Sequence, residues 1–387
     1  MGELKQLLGR ADALYRDTEF AAVHRWKEEK PGRKAVGILP VYAPRELIHA
    51  AGMLPVGVVG HGDLEIIRGD AYFQSYICHL PRSVIELAVS GKLDCLDGML
   101  FPSTCDVIRN LSGMWKMELP DVYVKYFDVP QNFAGEVGGE FYRHELQSMR
   151  HDFEELSGAA ITDEALRKSI AIYNENRGLI SELYRVRAQA PWNYPAGEVY
   201  LMVRAGYMLP VEEHNTWLRS YLDLASQREL QPLDNIRVVV SGAFCEQPPV
   251  DLIRTLERAG CYIVGDDFFQ GLRWFKKPVS TEGDPIANLV HSFLHESNAA
   301  ASLYQADGKN GEELVQTIGQ AKADGVICAA PSFCDPALLD QPMNVAALDA
   351  AKIPYTAFKY AENAGQFQVI REQAGTFADS IRLWGDA

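Results

Sequence analysis

Four of the seven cysteines stand where a predicted strand gives way to a loop or a helix start. Cys105 follows GMLFPS in the stretch FPSTCD, Cys245 follows IRVVVSG in GAFCEQ, and Cys334 follows DGVICAA in PSFCDP. Cys78, in SYICHLPRS, precedes a helix expected to begin near Pro81. Open α/β sheets gather their ligand sites outside the carboxyl ends of the strands, so a thiol just past a strand end can reach a ligand. Cys95 (KLDCLDG), Cys261 (CYIVGDD) and Cys328, inside the apolar run GVICAA, read instead as small packed hydrophobes. No pair is spaced Cys-x-x-Cys and no ferredoxin-like run is present, so neither a zinc ribbon, a redox dithiol nor a local cluster motif is indicated. Spacing alone leaves two uses open for the loop cysteines, as metal or cluster ligands or as ordinary buried thiols.

Other chemistry is weakly signalled. His79 adjoins Cys78 and is placed to donate a hydrogen bond beside it, whereas His49, His291 and His295 fall on helical patterns as packed or surface residues. There is no Gly-x-Ser-x-Gly elbow, no His-Glu-x-x-His, no phosphate-binding P-loop and no Gly-x-Gly-x-x-Gly after a strand. The chain is therefore expected to bind no ATP of its own. A formal net charge of −15 argues against nucleic acid or an anionic membrane as the main partner. The N-terminal MGELKQLLGRADALYRDTEF has charges spread through a helical pattern and no apolar leader, and nothing approaches the ~18 consecutive apolar residues of a membrane span. A cytoplasmic protein with reduced thiols is expected. Arg82, Arg109, Lys125 and Arg273 read as solvated surface charges, with contact to phosphate groups of a ligand as the competing use.

The elements that must position these cysteines follow from hydrophobic periodicity. Residues 3–28 predict one amphipathic helix, stopped by Lys30-Pro31-Gly32. Continuous apolar runs at 35–42, 55–60, 98–103 and 122–127 predict buried parallel strands. Helices are expected at PRELIHAAGM and PRSVIELAVSG between them. From about 138 to 230 the helical period dominates. Thr162 is a good N-cap, followed by acidic Asp163 and Glu164, and Leu166, Ile170, Tyr173, Ile180 and Tyr184 share one face of a long helix. Strand and helix then alternate again: strands at 236–242, 261–267, 324–330 and 353–360, helices at 250–260, 287–297, 311–323 and from about 366 to 384. The pattern predicts an α/β protein of two doubly wound parallel-sheet lobes, Rossmann- or flavodoxin-like, joined by a helical segment. The expected divisions are 1–137, with two of the loop cysteines, 138–232, helical, and 233–387, with Cys334.

Taken in order, PVYAPRELIHAAGMLPVGVVG, SYICHLPRS, FPSTCD, ITDEALRKSIAIYNENRGLISELYRVR, GAFCEQPP, DGVICAAPSFCDP and KYAENAGQFQVIREQAGTFADSI make this chain resemble the 2-hydroxyacyl-CoA dehydratase / benzoyl-CoA reductase family of iron–sulfur subunits. The likeness covers nearly the whole chain. The wording of KYAENAGQ and REQAGTFADSI pulls it towards the smaller, C or gamma, cluster-bearing subunit of the ATP-dependent benzoyl-CoA reductase branch.

The resemblance implies one [4Fe–4S] cluster per chain, held by Cys78, Cys105 and Cys334, in a cleft where loops of both lobes converge. Cys328 competes with Cys334 for the third position but lies inside an apolar run, and Cys245 is expected to pack near the site rather than ligate. Three thiolates leave one iron open, and a low-potential, water-excluded cluster suits electron transfer to an aromatic thioester, whose carbonyl would take up the electron as a ketyl radical anion. The implied partners are a paired homologous cluster subunit, ATP-hydrolysing activator subunits, ferredoxin, and benzoyl-CoA or a related acyl-CoA; no nucleic acid and no membrane are expected. Two other functions compete: a subunit of a (R)-2-hydroxyacyl-CoA dehydratase, which needs only an initiating electron, and a cluster-free binding subunit.

Overall fold

The computed structural model describes residues 2–60, 64–304, 310–361 and 367–384. Positions 362–366 of the KYAENAGQ stretch lie outside these residues. The chain opens with α1 (Gly2–Tyr15) and α2 (Ala21–Glu28), two helices where periodicity predicts one. The Asp17 carboxylate accepts the backbone N–H groups of Glu19 and Ala22, a local turn that competes with helix continuation. Phe20 then adopts a left-handed φ of 50° and buries its ring in the N-terminal core.

The first lobe runs β1 (Ala35–Ile38), α3 (Arg45–Ala50), β2 (Leu54–Gly57), α4 (His79–Val89), β3 (Gly98–Pro102), α5 (Asp106–Glu118) and β4 (Tyr123–Phe127). Four helices follow, α6 (Glu140–Ser157), α7 (Asp163–Gln189), α8 (Ala196–Arg204) and α9 (Val211–Ser226). The second lobe runs β5 (Ile236–Ser241), α10 (Val250–Arg258), β6 (Cys261–Asp266), α11 (Pro285–His295), α12 (Asn310–Ala321), β7 (Gly325–Pro331), α13 (Asp335–Ala351), β8 (Tyr355–Tyr360) and α14 (Phe367–Trp384).

Each lobe holds a four-stranded parallel sheet, ordered β2-β1-β3-β4 and β6-β5-β7-β8. Both are doubly wound: the first strand is central, the second lies to one side and the third and fourth to the other. β1, β2, β3 and β7 are buried along their whole length, which is why they read as unbroken apolar runs. The edge strands β4 and β8 are only partly covered. The two-lobed α/β architecture predicted from the alternation is the one observed. The repeated strand order has no counterpart as a sequence repeat, because topology depends on the apolar pattern rather than on residue identity.

α7 begins as predicted, with Thr162 Oγ1 accepting the Ala165 N–H at 3.1 Å. It packs on both lobes. Arg177 pairs with the buried Glu46 of α3, and Arg187 pairs with the buried Asp266 at the end of β6. α1 packs on α8 and α9, so the first helix joins the core of the second lobe. Two helices have no counterpart in the sequence reading, α5 and α13. Their N-caps are Cys105 and Cys334, a residue type that gives no start signal, and α13 carries Pro342 in its interior.

Between α7, α8 and α9, His214 is buried with both ring nitrogens bonded. Nε2 donates to the Met202 carbonyl at 2.9 Å, and Nδ1 accepts from Asn176 Nδ2 at 2.9 Å. Burial pushes its pKa down to about 4, and the nearby Arg45 adds to the shift against the Met202 carbonyl. The unfolded chain binds a proton there near pH 6.5, which the folded chain refuses until about pH 4. Stability is therefore full above pH 6.5 and falls by up to about 3 kcal/mol as the pH drops towards 4. Urea melts of wild type should show this slope and His214→Gln should lose it; an unchanged slope would assign the acid lability to other groups. A second prediction concerns Gly242, with φ of 122° just after β5, where an added Cβ would stand 2.6 Å from the Ala329 carbonyl oxygen. Gly242→Ala should destabilise the fold by about 1–3 kcal/mol in thermal melts.

A candidate thiol centre between the lobes

In each doubly wound sheet the winding reverses next to the first strand, between β1 and β3 in one lobe and between β5 and β7 in the other. The chain ends that open there form the crevice in which such sheets take ligands. Cys105 follows β3, and Cys334 occupies the equivalent place after β7. Cys245 lies in the loop that leaves β5, and Cys78 ends the long segment between β2 and α4. Cys78, Cys105 and Cys334 are the N-cap residues of α4, α5 and α13. Three helix N-termini thus present thiols, where the helix dipole and free N–H groups favour a thiolate.

The crevices face each other because the lobes are tied at this point. The Glu246 carboxylate accepts the Leu80 N–H at 3.1 Å, so the second lobe completes the first turn of α4 two residues past Cys78. The backbone carbonyl of Glu246 accepts the Tyr360 hydroxyl at 3.0 Å, which anchors the loop to the end of β8. Gln247 accepts the Phe269 N–H at 2.9 Å and fixes the other end of the loop. Cys334 is set by a tight turn in which its N–H donates to the Pro331 carbonyl and Ser332 N–H donates to the Tyr360 carbonyl. Phe333 within that turn has φ of 65° and stays half-exposed, a strained conformation for an aromatic residue beside the site.

Burial dominates the electrostatics of all four thiols. Burial pushes the Cys78 thiol far up, and the charges of Glu246, Cys334 and Cys105 push it further. Burial raises Cys334 to about 12, against the Ala337 N–H and with Glu246 and Cys105. Cys105 is raised by burial while the N–H groups of Ile108 and Val107 pull it down. Cys245 is raised well above the ordinary range by burial, then by Cys334, Cys105 and Cys78. Thr104 places a buried hydroxyl beside the thiols of Cys105 and Cys245. Glu246 itself is pushed up to about 7 by burial, opposed by the N–H groups of Leu80 and His79.

The other three cysteines are elsewhere. Cys95 and Cys261 lie in the cores of the first and second lobes. Cys328 packs with Val239, Val264 and Ile318 beneath α12, and its charged neighbour is Asp267. It opens onto a cavity of about 170 Å³ at the ends of β5–β7, too small for an intact coenzyme. Of the basic residues considered for phosphate contact, Arg82 pairs with Asp70, Lys125 with Asp152 and Arg273 with Asp266, while Arg109 lies over the Tyr126 ring. Sequence reading missed Thr104 and Glu246, which carry no motif.

The donor set fits an iron–sulfur cluster. It consists of soft thiols, with backbone N–H groups and a hydroxyl around them, as cluster sulfur requires. Among the described residues no three acidic, histidine or cysteine side chains stand close enough to share one metal ion.

Residues 40–381 match the family model described as 2-hydroxyglutaryl-CoA dehydratase, D-component. The chain is 55% identical over 380 residues to the benzoyl-CoA reductase C-subunit of Thauera aromatica, covering 98% of both. It is 29% identical to the (R)-phenyllactyl-CoA dehydratase beta subunit of Clostridium sporogenes, over 91% of this chain and 93% of that one. It is 27% identical to the beta subunit of (R)-2-hydroxyglutaryl-CoA dehydratase from Acidaminococcus fermentans, over 92% and 94%. These relatives are subunits of multi-subunit enzymes, and among the described residues no helix is long and apolar enough to cross a membrane. With two doubly wound lobes and the order of segments shared along almost its entire length, the chain belongs to the 2-hydroxyglutaryl-CoA dehydratase D-component family, which joins the benzoyl-CoA reductase and 2-hydroxyacyl-CoA dehydratase subunits.

Proposed function

We propose that the chain is the C-type subunit of an ATP-dependent, ferredoxin-linked benzoyl-CoA reductase. The supporting observation is near-full-length identity to a benzoyl-CoA reductase C-subunit, about twice the identity to the dehydratase beta subunits. In this proposal Cys78, Cys105 and Cys334 hold one [4Fe–4S] cluster, supported by their convergence at three helix N-termini. Cys334 rather than Cys328 is the third ligand, because Cys334 faces the thiols of the other lobe and Cys328 faces a core.

When bound, the cluster supplies low-potential one-electron transfer. The chain's own residues carry out the rest. Val107, Ile108 and Ala337 offer N–H groups to the sulfurs. Leu80, Phe244, Ala330 and Ala337 are buried in the apolar cluster that also holds Cys334. Glu246 holds the two lobes in register across the site. A paired homologous cluster subunit, ATP-hydrolysing activator subunits and ferredoxin complete the proposed enzyme. Electrons and protons would be added to the ring of benzoyl-CoA to give a cyclic dienoyl-CoA.

Anaerobically purified protein should carry about four iron and four acid-labile sulfide per chain. Cys78→Ala, Cys105→Ala and Cys334→Ala should lose them and Cys328→Ala should keep them; loss with Cys328 instead of Cys334 would reverse the assignment, and no iron in wild type would sink it. The assembled enzyme should consume ATP and electrons at every turnover with benzoyl-CoA, whereas a dehydratase would turn over many times after one initiating electron. Glu246→Ala should cost about 1–3 kcal/mol in thermal melts by stripping the partner from a buried N–H, and Glu246→Gln, which keeps an acceptor, should cost less.

A further inference from the structure

Two buried arginines at the junction of the lobes share a single acid. A cavity of about 30 Å³ lies there, walled by Tyr42, Arg45 and Glu46 of the first lobe, by Arg177 of α7 and by Gly271 and Trp274 of the second lobe. That is room for one small ion or for a water or two. We propose that this cavity binds a small monovalent anion of halide size, which neutralises Arg45 and ties the lobes together. The site stands independently of the cluster assignment.

Arg45, Arg177 and Glu46 are the charged residues of the cavity wall, and each is more than nine-tenths buried. Glu46 is engaged by Arg177, whose Nη1 donates to it at 2.5 Å while Nη2 donates to Asn174 at 2.7 Å. Arg45 has no such partner. Its guanidinium lies over the Tyr173 ring at 4.8 Å, and among the described residues its side chain makes no hydrogen bond or ion pair. The ring face offsets part of the charge and leaves the N–H groups without acceptors in the protein. A guanidinium cannot shed its proton to escape burial, so an unpaired one costs free energy until an opposite charge arrives. The surplus is felt by its neighbours. Burial pushes Glu46 up, and Arg177 and then Arg45 more than reverse it; at His214, Arg45 adds to the effect of burial in opposing protonation.

Hydrogen bonding points the same way. Arg177 Nε and Trp274 Nε1 are buried without an acceptor. So is the Tyr207 hydroxyl, which stands against the same wall: a Cβ added at Gly271 would lie 3.0 Å from it. Donors therefore converge from both lobes and from α7 where the one acid is already engaged. A water would accept from some of them but carries no charge. An anion accepts from several sides at once and supplies the charge that Arg45 lacks. Because the wall belongs to both lobes, an anion held there resists their separation.

The test compares the full chain in sodium bromide and in sodium gluconate of equal ionic strength, gluconate being too large for the cavity. Crystals grown in bromide should show an anomalous peak at the bromine edge between Arg45, Arg177 and Trp274, and Arg45→Met crystals should lack it. Thermal melts give a second readout. The wild-type midpoint should rise with bromide along a saturating curve, by about 2 °C or more at saturation. Arg45→Met should lose that rise, so its deficit against wild type is larger in bromide than in gluconate. Trp274→Phe, which removes one donor, should raise the half-saturating bromide concentration about tenfold. A wild-type cavity that holds only water in bromide, or an Arg45→Met deficit equal in the two salts, would overturn the anion and leave Arg45 a packing residue. A bromide peak with no rise of the midpoint would mark an adventitious ion only and would overturn it as well. The wild-type crystal and melt decide the matter even if Arg45→Met fails to fold.

Discussion

The contact between the Glu246 carboxylate and the Leu80 N–H is the constraint on which the candidate site depends. It joins a loop of the second lobe to the start of a helix in the first. The N-terminus of α4 has N–H groups with no partner inside the helix, and Cys78 as N-cap does not satisfy them with its side chain. A carboxylate from another lobe does. Burying that acid is unfavourable, as its raised pKa shows, and the N–H donors of Leu80 and His79 offset the cost. Were the lobes to part, the acid would hydrate but the helix end and the thiols would lose their register.

Around that contact the centre is assembled from parts that are individually common. Each doubly wound sheet opens a crevice where its winding reverses, and each third strand delivers a cysteine to the N-cap of the next helix. The two lobes therefore contribute Cys105 and Cys334 in the same structural sense, and the loops bearing Cys78 and Cys245 close the remaining sides. Burial raises the pKa of all four thiols, and backbone N–H groups oppose it at Cys105 and Cys334.

Some of the left-handed residues stand at the same places. Phe333 beside Cys334 is left-handed, as are Val41 and Tyr42 where β1 leaves the first sheet. Tyr42 is held by an edge-on contact with Trp274 at 4.7 Å and by a hydrogen bond to Ser302, both from the second lobe. The bend that shapes the crevice of the first lobe is thus stabilised by the second lobe.

Much of the fold was determined by the sequence alone. Buried parallel strands must be apolar on both faces, so AVGILP, GMLFP and GVICAAP announce themselves without any partner in view, and Thr162 with its acidic first turn announces α7. The strand-end placement of Cys105, Cys245 and Cys334 was legible for the same reason. What only the tertiary structure decided was everything that depends on distant contacts. The split between α1 and α2 follows from Phe20 finding a core, and the helices begun by Cys105 and Cys334 carry no local start signal. Above all, that Cys334 packs into the core of the first lobe while Cys328 packs beneath α12 is a matter of which face of a sheet and which lobe each sulfur meets. Periodicity fixes a residue's place along a strand, but the packing of one lobe against the other chooses its neighbours.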